Sequence, residues 1–230
     1  MTTAVVLAAG EGRRFGGAKQ LALVRGRPLL SHAVAAARAA GLDRVVVVLG
    51  ARAEAVRAGV DLGGVDVAVC EDWADGLSAS LRCGLRAAAA SDEVDEVVIL
   101  LGDQPGVGPE AVTRVRAAPG DAARATYGGA PGHPVVLRRA LLARAGELAG
   151  DAGFRDLLGG ATPVECGDLG DPRDIDTPGD LDAAPALTAE EAAASAGAAD
   201  VVEAAPAPVP AQPPPTAWWE RLRGLLRRGR

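Results

Sequence analysis

Aromatic residues make up only 3% of this 230-residue chain, so any core it buries must be built from Val, Leu and Ala. Positive charge is not in excess either. The 24 Lys and Arg against 30 Asp and Glu give a formal net charge of -6. That excludes a general nucleic-acid binder, a class that presents surplus cations, and leaves room for a small anion held by a few local cations. No apolar run is long and uncharged enough to span a bilayer, since residues 94–101 form a short run that carries acids. Cysteine is scarce. Cys70, Cys83 and Cys166 are odd in number and lack metal-ligand spacing. With no signal-like start, they read as reduced thiols of a cytoplasmic protein, packed as small hydrophobes.

What the chain does have is a 49% hydrophobic composition arranged in alternating segments. Residues 4–8 (AVVLA), 44–49 (RVVVVL), 65–69 and 97–101 read as strands, with a further pair near Ala125 and Val135. Helices are expected over 28–40, 51–58, 77–90 and 109–117, the first opened by Pro28 and closed by Gly41. Strands that are apolar without polar alternation are buried on both faces, so the expected fold is a three-layer α/β/α with a mainly parallel sheet. Ligands of such sheets bind beyond the carboxyl ends of the strands. The Gly10 loop and the segment Gly102-Asp103-Gln104-Pro105 both follow a strand end. Composition divides the chain into a globular domain at 1–182, an Ala/Pro-rich linker at 183–217 and a basic amphipathic segment at 218–230. The linker should be extended and semi-rigid. The last segment (WWERLRGLLRRGR) places Trp218, Leu222, Leu225 and Leu226 on one helical face, with arginines on the rest. It suits docking on an acidic partner or an anionic membrane surface, folding back on the body, or a frayed solubilising tail.

The loop from Leu7 to Lys19 (LAAGEGRRFGGAK) carries the most chemistry. A dinucleotide fingerprint needs a third glycine where Phe15 stands, and an acid after the second strand, where Gly50 stands. A P-loop needs its lysine one residue earlier and a hydroxyl where Gln20 stands. The loop still suits a triphosphate. Glycines let backbone N–H groups approach phosphate oxygens, while Arg14 and Lys19 put cations where charge develops on a leaving pyrophosphate.

These residues, L-A-A-G-x-x-x-R-x-G-x-x-K, resemble the signature of the MobA-like nucleotidyltransferases. Within that family they are most similar to the molybdenum cofactor cytidylyltransferase branch, which has LAAG where the guanylyltransferase branch has LAGG. Gly12 stands where the family commonly has Ser, and Phe15 where it often has Met. The resemblance continues in order to about Leu181. Residues 73–82 (WADGLSASLR) are similar to the family's W-x-x-G-M-S-x-S-L, with Leu77 for Met and Cys70-Glu71-Asp72 in place of the Asn-Pro common before the tryptophan. This implies base recognition by Gly76, Ser78 and Ser80, although Ser78 could simply cap a helix. G-D-Q-P implies a metal-binding Asp103, against a turn-forming Asp before Pro. Gly132-His133-Pro134 and residues 150–155 (GDAGFR) resemble acceptor-side elements, implying that His133, Asp151 and Arg155 meet the pterin or its phosphate. Asp174-Ile175-Asp176-Thr177-Pro178 implies a second metal ligand at Asp176, against a helix-capping role.

The resemblance thus implies a Rossmann-like nucleotidyltransferase fold that moves a nucleoside monophosphate, CMP from CTP, onto a phosphorylated acceptor. The expected acceptor is molybdopterin carrying molybdenum. The expected nucleotide contacts are Leu7, Ala8, Ala9, Gly10, Gly12, Arg14, Lys19, Gly76, Ser78, Ser80 and Asp103. Mg²⁺ would sit on Asp103 and Asp176, with Arg14, Lys19 and Asp103 catalytic. The rivals are a nucleotidyltransferase for a sugar phosphate or another cofactor precursor, and a noncatalytic module delivering cofactor to a molybdoenzyme.

Overall fold

The computed structural model describes residues 1–90, 94–142 and 158–182. The segment holding Asp151 and Arg155, the linker at 183–217 and the segment at 218–230 lie outside the described residues. The chain opens with β1 (Thr2–Ala8), followed by the glycine loop and a short hairpin, β2 (Leu23–Val24) and β3 (Arg27–Pro28). Then come α1 (Leu29–Ala39), β4 (Arg44–Leu49), α2 (Ala53–Gly59), β5 (Asp66–Val69) and α3 (Leu77–Ala88). The remainder is β6 (Glu96–Leu101), α4 (Pro109–Ala117), β7 (Ala122–Tyr127), β8 (Ala130–Arg138), α5 (Arg139–Leu142) and β9 (Thr162–Glu165).

Seven strands form one sheet in the order β5-β4-β1-β6-β8-β7-β9. Pairing is parallel throughout except for the two pairs that β8 makes with β6 and β7. Alternation along the strands splits the core into two layers. Ala4, Val6 and Ala8 of β1 face α1 and α4, while Val5 and Leu7 face α3. This is the three-layer α/β/α architecture that strands apolar on both faces require. Gly84 sets the approach of α3 to the sheet. A Cβ there would lie 2.4 Å from Val5 Cγ1 and 2.9 Å from Val48 Cγ2, so a larger residue would hold the helix off the central strands.

Most expected elements appear within a few residues of their expected bounds. The expected pair near Ala125 and Val135 is the β7–β8 hairpin, with Arg124 opposite Val135 and a register shift just beyond. Two features differ from expectation. The β2–β3 hairpin interrupts what read as plain loop, and β9 adds a parallel edge strand beside β7. Cys70, Cys83 and Cys166 are free and buried, as expected of packed thiols, and burial pushes Cys83 up to about 12. Among the described residues no helix is long and apolar enough to cross a membrane.

The chain leaves β1 toward β4 on one side and reaches β6 on the other, so the direction of winding reverses between β1 and β6. A crevice opens beyond their carboxyl ends, where such sheets take ligands.

Candidate active site

The crevice is a cleft of about 470 Å³, floored by the ends of β1 and β6 and walled by the glycine loop and the start of α3. Leu7, Ala8, Ala9, Gly10, Gly12, Arg14, Lys19, Gly76, Ser80, Asp103 and Asp176 all line it. The glycine loop is folded on itself: the amides of Gly16 and Gly17 donate to the Gly12 carbonyl, and the Lys19 amide donates to Gly17. Gly12 has φ +71, and a Cβ there would lie 2.2 Å from the Gly17 carbonyl oxygen. Phe15 packs with Val24, Leu29 and Ile175 in a small satellite core, which anchors the loop's outer end.

Ile175 also fixes the acidic side of the cleft. Its amide donates to the Asp103 carbonyl at 2.9 Å, and its side chain is buried. Asp174 and Asp176 flank this anchor. Gln104 Nε2 bonds Asp174 Oδ1 at 2.9 Å and the Pro172 carbonyl at 2.8 Å. Burial, then the nearby Asp103 charge, raises the Asp174 carboxyl above the usual range, against the bond from Gln104.

The charged groups converge. Lys19 Nζ donates to Asp103 Oδ2 at 2.6 Å and to Asp176 Oδ1 at 2.9 Å, while Arg14 donates to Asp176 Oδ2 at 2.7 Å. Burial works against the Lys19 charge, but the Asp103 and Asp176 carboxylates outweigh it and raise its pKa. Lys19 is therefore an ammonium throughout the neutral range. Capping of the last 3-10 turn falls to other residues. Thr177 and Asp180 form the capping box, and Asp180 also accepts from the Asp176 amide at 3.0 Å. The capping alternative for Asp176 is thereby removed, because its carboxylate points to Lys19 and Arg14.

Two candidates stand away from the cleft lining. Ser78 is buried in α3, and the N-cap of that helix is Gly76 with no side-chain capping bond, so Ser78 does not cap it. His133 sits on β8, on the same sheet face as Val135 and near the Leu101 end of β6. Its Nε2 is shut off from solvent, with no hydrogen-bond partner among the described residues. Burial, then the Arg124 charge, pushes its pKa down to about 4.

An unfolded histidine takes a proton near pH 6.5, whereas His133 stays neutral well below that in the fold. Its contribution to stability is complete above about pH 6.5 and falls as the pH drops toward about 4. Urea unfolding between pH 7 and 5 should show this loss, and His133→Gln should flatten it. Equal slopes in the two proteins would assign the loss to other groups.

Gln20, which stands where a P-loop would carry its hydroxyl, has a structural role of its own. It is 4% exposed, and its Nε2 bonds the carbonyls of Ala8 at 2.8 Å and Gly10 at 2.9 Å. It thereby ties the start of the loop to the turn that carries Lys19. Trp73 also lines the cleft. A buried amide after a lysine carries no periodic signal, so no pattern in the sequence marks Gln20.

Residues 4–165 match the family model described as the MobA-like NTP transferase domain. The chain belongs to this family. It is a nucleotidyltransferase by descent, with the fold the family resemblance implied. The chain is 35% identical over 190 residues to nicotine blue oxidoreductase of Paenarthrobacter nicotinovorans, covering 76% of this chain and 92% of that protein. It is 38% identical over 141 residues to 2-C-methyl-D-erythritol 4-phosphate cytidylyltransferase of Cereibacter sphaeroides, covering 58% of this chain and 59% of that protein. Among solved structures, Rv0371c of Mycobacterium tuberculosis H37Rv matches with a TM-score of 0.68 and 33% identity, covering 79% of this chain and 96% of that one. A complex of Rv0371c with manganese matches with a TM-score of 0.58 and 34% identity, over 71% of this chain and 86% of that one.

A serine at position 12 cannot enter the loop without moving the Gly17 peptide. Gly12→Ser is expected to weaken NTP binding about tenfold, the equivalent of about 1–2 kcal/mol of backbone strain. An unchanged dissociation constant by calorimetry would mean that the loop relaxes around a side chain.

Proposed function

We propose that the chain transfers CMP from CTP to a phosphorylated acceptor, the molybdenum-bearing molybdopterin, with Mg²⁺ and release of pyrophosphate. The observation that carries this reading is the convergence of Lys19, Arg14, Asp103 and Asp176 on a cleft whose other wall is a glycine loop. Ala9 in the LAAG segment and the cytidylyltransferase among the relatives support the choice of base.

The donor set fits a divalent cation. Asp103 and Asp176 each place a carboxylate oxygen within 2.9 Å of one cationic atom, Lys19 Nζ, so a single positive centre reaches both. Hard oxygens suit Mg²⁺, which binds through one or two carboxylates and completes its shell with water and phosphate oxygens. The manganese complex of a relative supports the use of a divalent metal. When bound, the metal supplies charge neutralisation on the triphosphate.

The chain's own residues do the rest. Loop amides other than those of Gly16, Gly17 and Lys19, which bond within the loop, cradle the phosphates. Lys19 and Arg14 stabilise the charge that grows on the α-phosphoryl oxygens and the departing pyrophosphate. Gly76 and Ser80, which line the cleft, and Ser78 are assigned to the base by motif. His133, Asp151 and Arg155 are assigned to the acceptor side by motif. An ionised acceptor phosphate attacks the α-phosphorus in line, so no general base is required. Residues 1–182 form the catalytic domain of a cytoplasmic enzyme. Residues 183–217 form a linker that carries the basic segment 218–230 toward a molybdoenzyme or an anionic membrane.

A screen of CTP, GTP, ATP and UTP against the molybdenum pterin, 2-C-methyl-D-erythritol 4-phosphate and sugar 1-phosphates tests the specificity. Pyrophosphate release with CTP and the pterin alone is the expected result; release with another pair reassigns base or acceptor. One finding favours a second reading: nicotine blue oxidoreductase aligns over nearly its whole length. On that reading the cleft serves a redox reaction. Consumption of a reduced nicotinamide dinucleotide with a pigment acceptor, and no pyrophosphate release from any NTP, would favour it.

A further inference from the structure

Lys19, Arg14, Asp103 and Asp176 are paired with one another in the cleft, and Glu11 and Arg13, which also line it, pair with each other. Lys19 Nζ lies between Asp103 and Asp176, and Arg14 holds the second oxygen of Asp176. The Lys19 side chain is only 12% exposed, against 73% for Arg14, so the lysine pairs are shielded and the arginine pair is wet. The carboxylates assigned to the metal and the cations assigned to the phosphates are thus already occupied with each other. We propose that Lys19 is the resident counter-cation of the metal site, so that metal and triphosphate enter together by a swap of partners. This rests on the metal and phosphate roles proposed above.

The charge balance drives the argument. A divalent cation arriving alone must expel an ammonium from between Asp103 and Asp176, leaving Lys19 partly buried, without a carboxylate and beside a second cation. A triphosphate arriving alone must strip Lys19 and Arg14 from their aspartates, leaving two carboxylates facing a polyanion. Either half-exchange leaves like charges together around Lys19, the least exposed of the four groups, where screening is weakest. When both arrive, each carboxylate trades a side-chain cation for the metal, and each side-chain cation trades a carboxylate for a phosphate oxygen. No charge is left without a partner. Asp174 does not enter the exchange, because Gln104 holds it. No neighbouring amine can substitute either, because Lys19 is the only lysine in the chain.

Coupling of this kind is reciprocal: metal strengthens nucleotide binding by the factor by which nucleotide strengthens metal binding. Removing the lysine removes the competitor. Mn²⁺ titrations of nucleotide-free protein, counting free Mn²⁺ by electron paramagnetic resonance, would compare wild type, Lys19→Met and the double variant Lys19→Met/Asp103→Asn. Urea unfolding confirms that each is folded. Lys19→Met is expected to bind Mn²⁺ about tenfold or more tightly than wild type, and the double variant to lose the gain. Equal or weaker binding by Lys19→Met would overturn the swap. A gain that survives Asp103→Asn would overturn the metal-ligand assignment itself.

A second measurement needs no variant. Melting temperatures of the full chain would be taken with Mn²⁺ alone, with a nonhydrolysable CTP analogue alone, and with both. The swap predicts that the joint shift exceeds the sum of the separate shifts, and a merely additive shift would contradict it.

Discussion

Asp103→Asn is expected to lower pyrophosphate release by about a thousandfold or more, the scale seen when a charge-stabilising group is removed from a reacting centre. The amide keeps the shape of the carboxylate but removes the charge that would hold a divalent cation and that now accepts from Lys19 Nζ at 2.6 Å. The fold should survive. The Asp103 backbone stays bonded to the Ile175 amide, and Lys19 keeps Asp176 as a partner at 2.9 Å. The Lys19–Asp103 pair is partly shielded, so its loss should cost about 1.5–3 kcal/mol, the scale of a hydrogen bond to a charged group. The check is a pair of measurements on one preparation, namely turnover and urea unfolding. Cooperative unfolding with full activity would remove Asp103 from the metal site.

Lys19→Ala is expected to lower kcat by about a hundredfold or more while changing the Michaelis constant for the nucleotide far less. Lys19 sits at the innermost, least exposed point of the charge cluster, where it would meet charge that develops only as the phosphorus–oxygen bond breaks. Only interactions stronger in the transition state than in the ground state raise turnover. An equal loss in kcat and in nucleotide affinity would instead make Lys19 a ground-state binding residue. Arg14 shares the cluster but is largely exposed, so Arg14→Ala should have the smaller effect of the two.

How much of this was legible in the sequence depended on how local the signal was. The strand Arg44–Leu49 and the helix Pro109–Ala117 have the bounds their sequences imply. The first is an unbroken β-branched run, and the second starts with a proline whose missing N–H costs a helix nothing in its first turn. Thr162–Glu165 gave no such signal, because four residues with a proline and a terminal acid look like turn, and only pairing with β7 makes them a strand. The β2–β3 hairpin has two residues per strand and rests on Arg25 at positive φ, a conformation that pattern does not announce.

The site divides in the same way. Lys19, Asp103 and Asp176 are separated by up to 157 residues, and family likeness joined them before geometry did. Ser78 and Ser80 were both assigned to the base side, yet residues two apart on a helix point about 200° from each other. Only Ser80 lines the cleft, a distinction the helical period alone could have drawn. Gln20 needed coordinates, because its two bonds run to backbone carbonyls that no side-chain motif encodes.

The central claim is that the Lys19–Asp103–Asp176 cluster carries out cytidylyl transfer. The most direct test gives the full chain CTP labelled at the α-phosphate, Mg²⁺ and the molybdenum pterin, and follows both the label and pyrophosphate. The predicted result is label on the pterin in step with pyrophosphate, one for one, and neither product with Asp103→Asn. Label that stays on CTP, or pyrophosphate released equally by Asp103→Asn, would contradict the account.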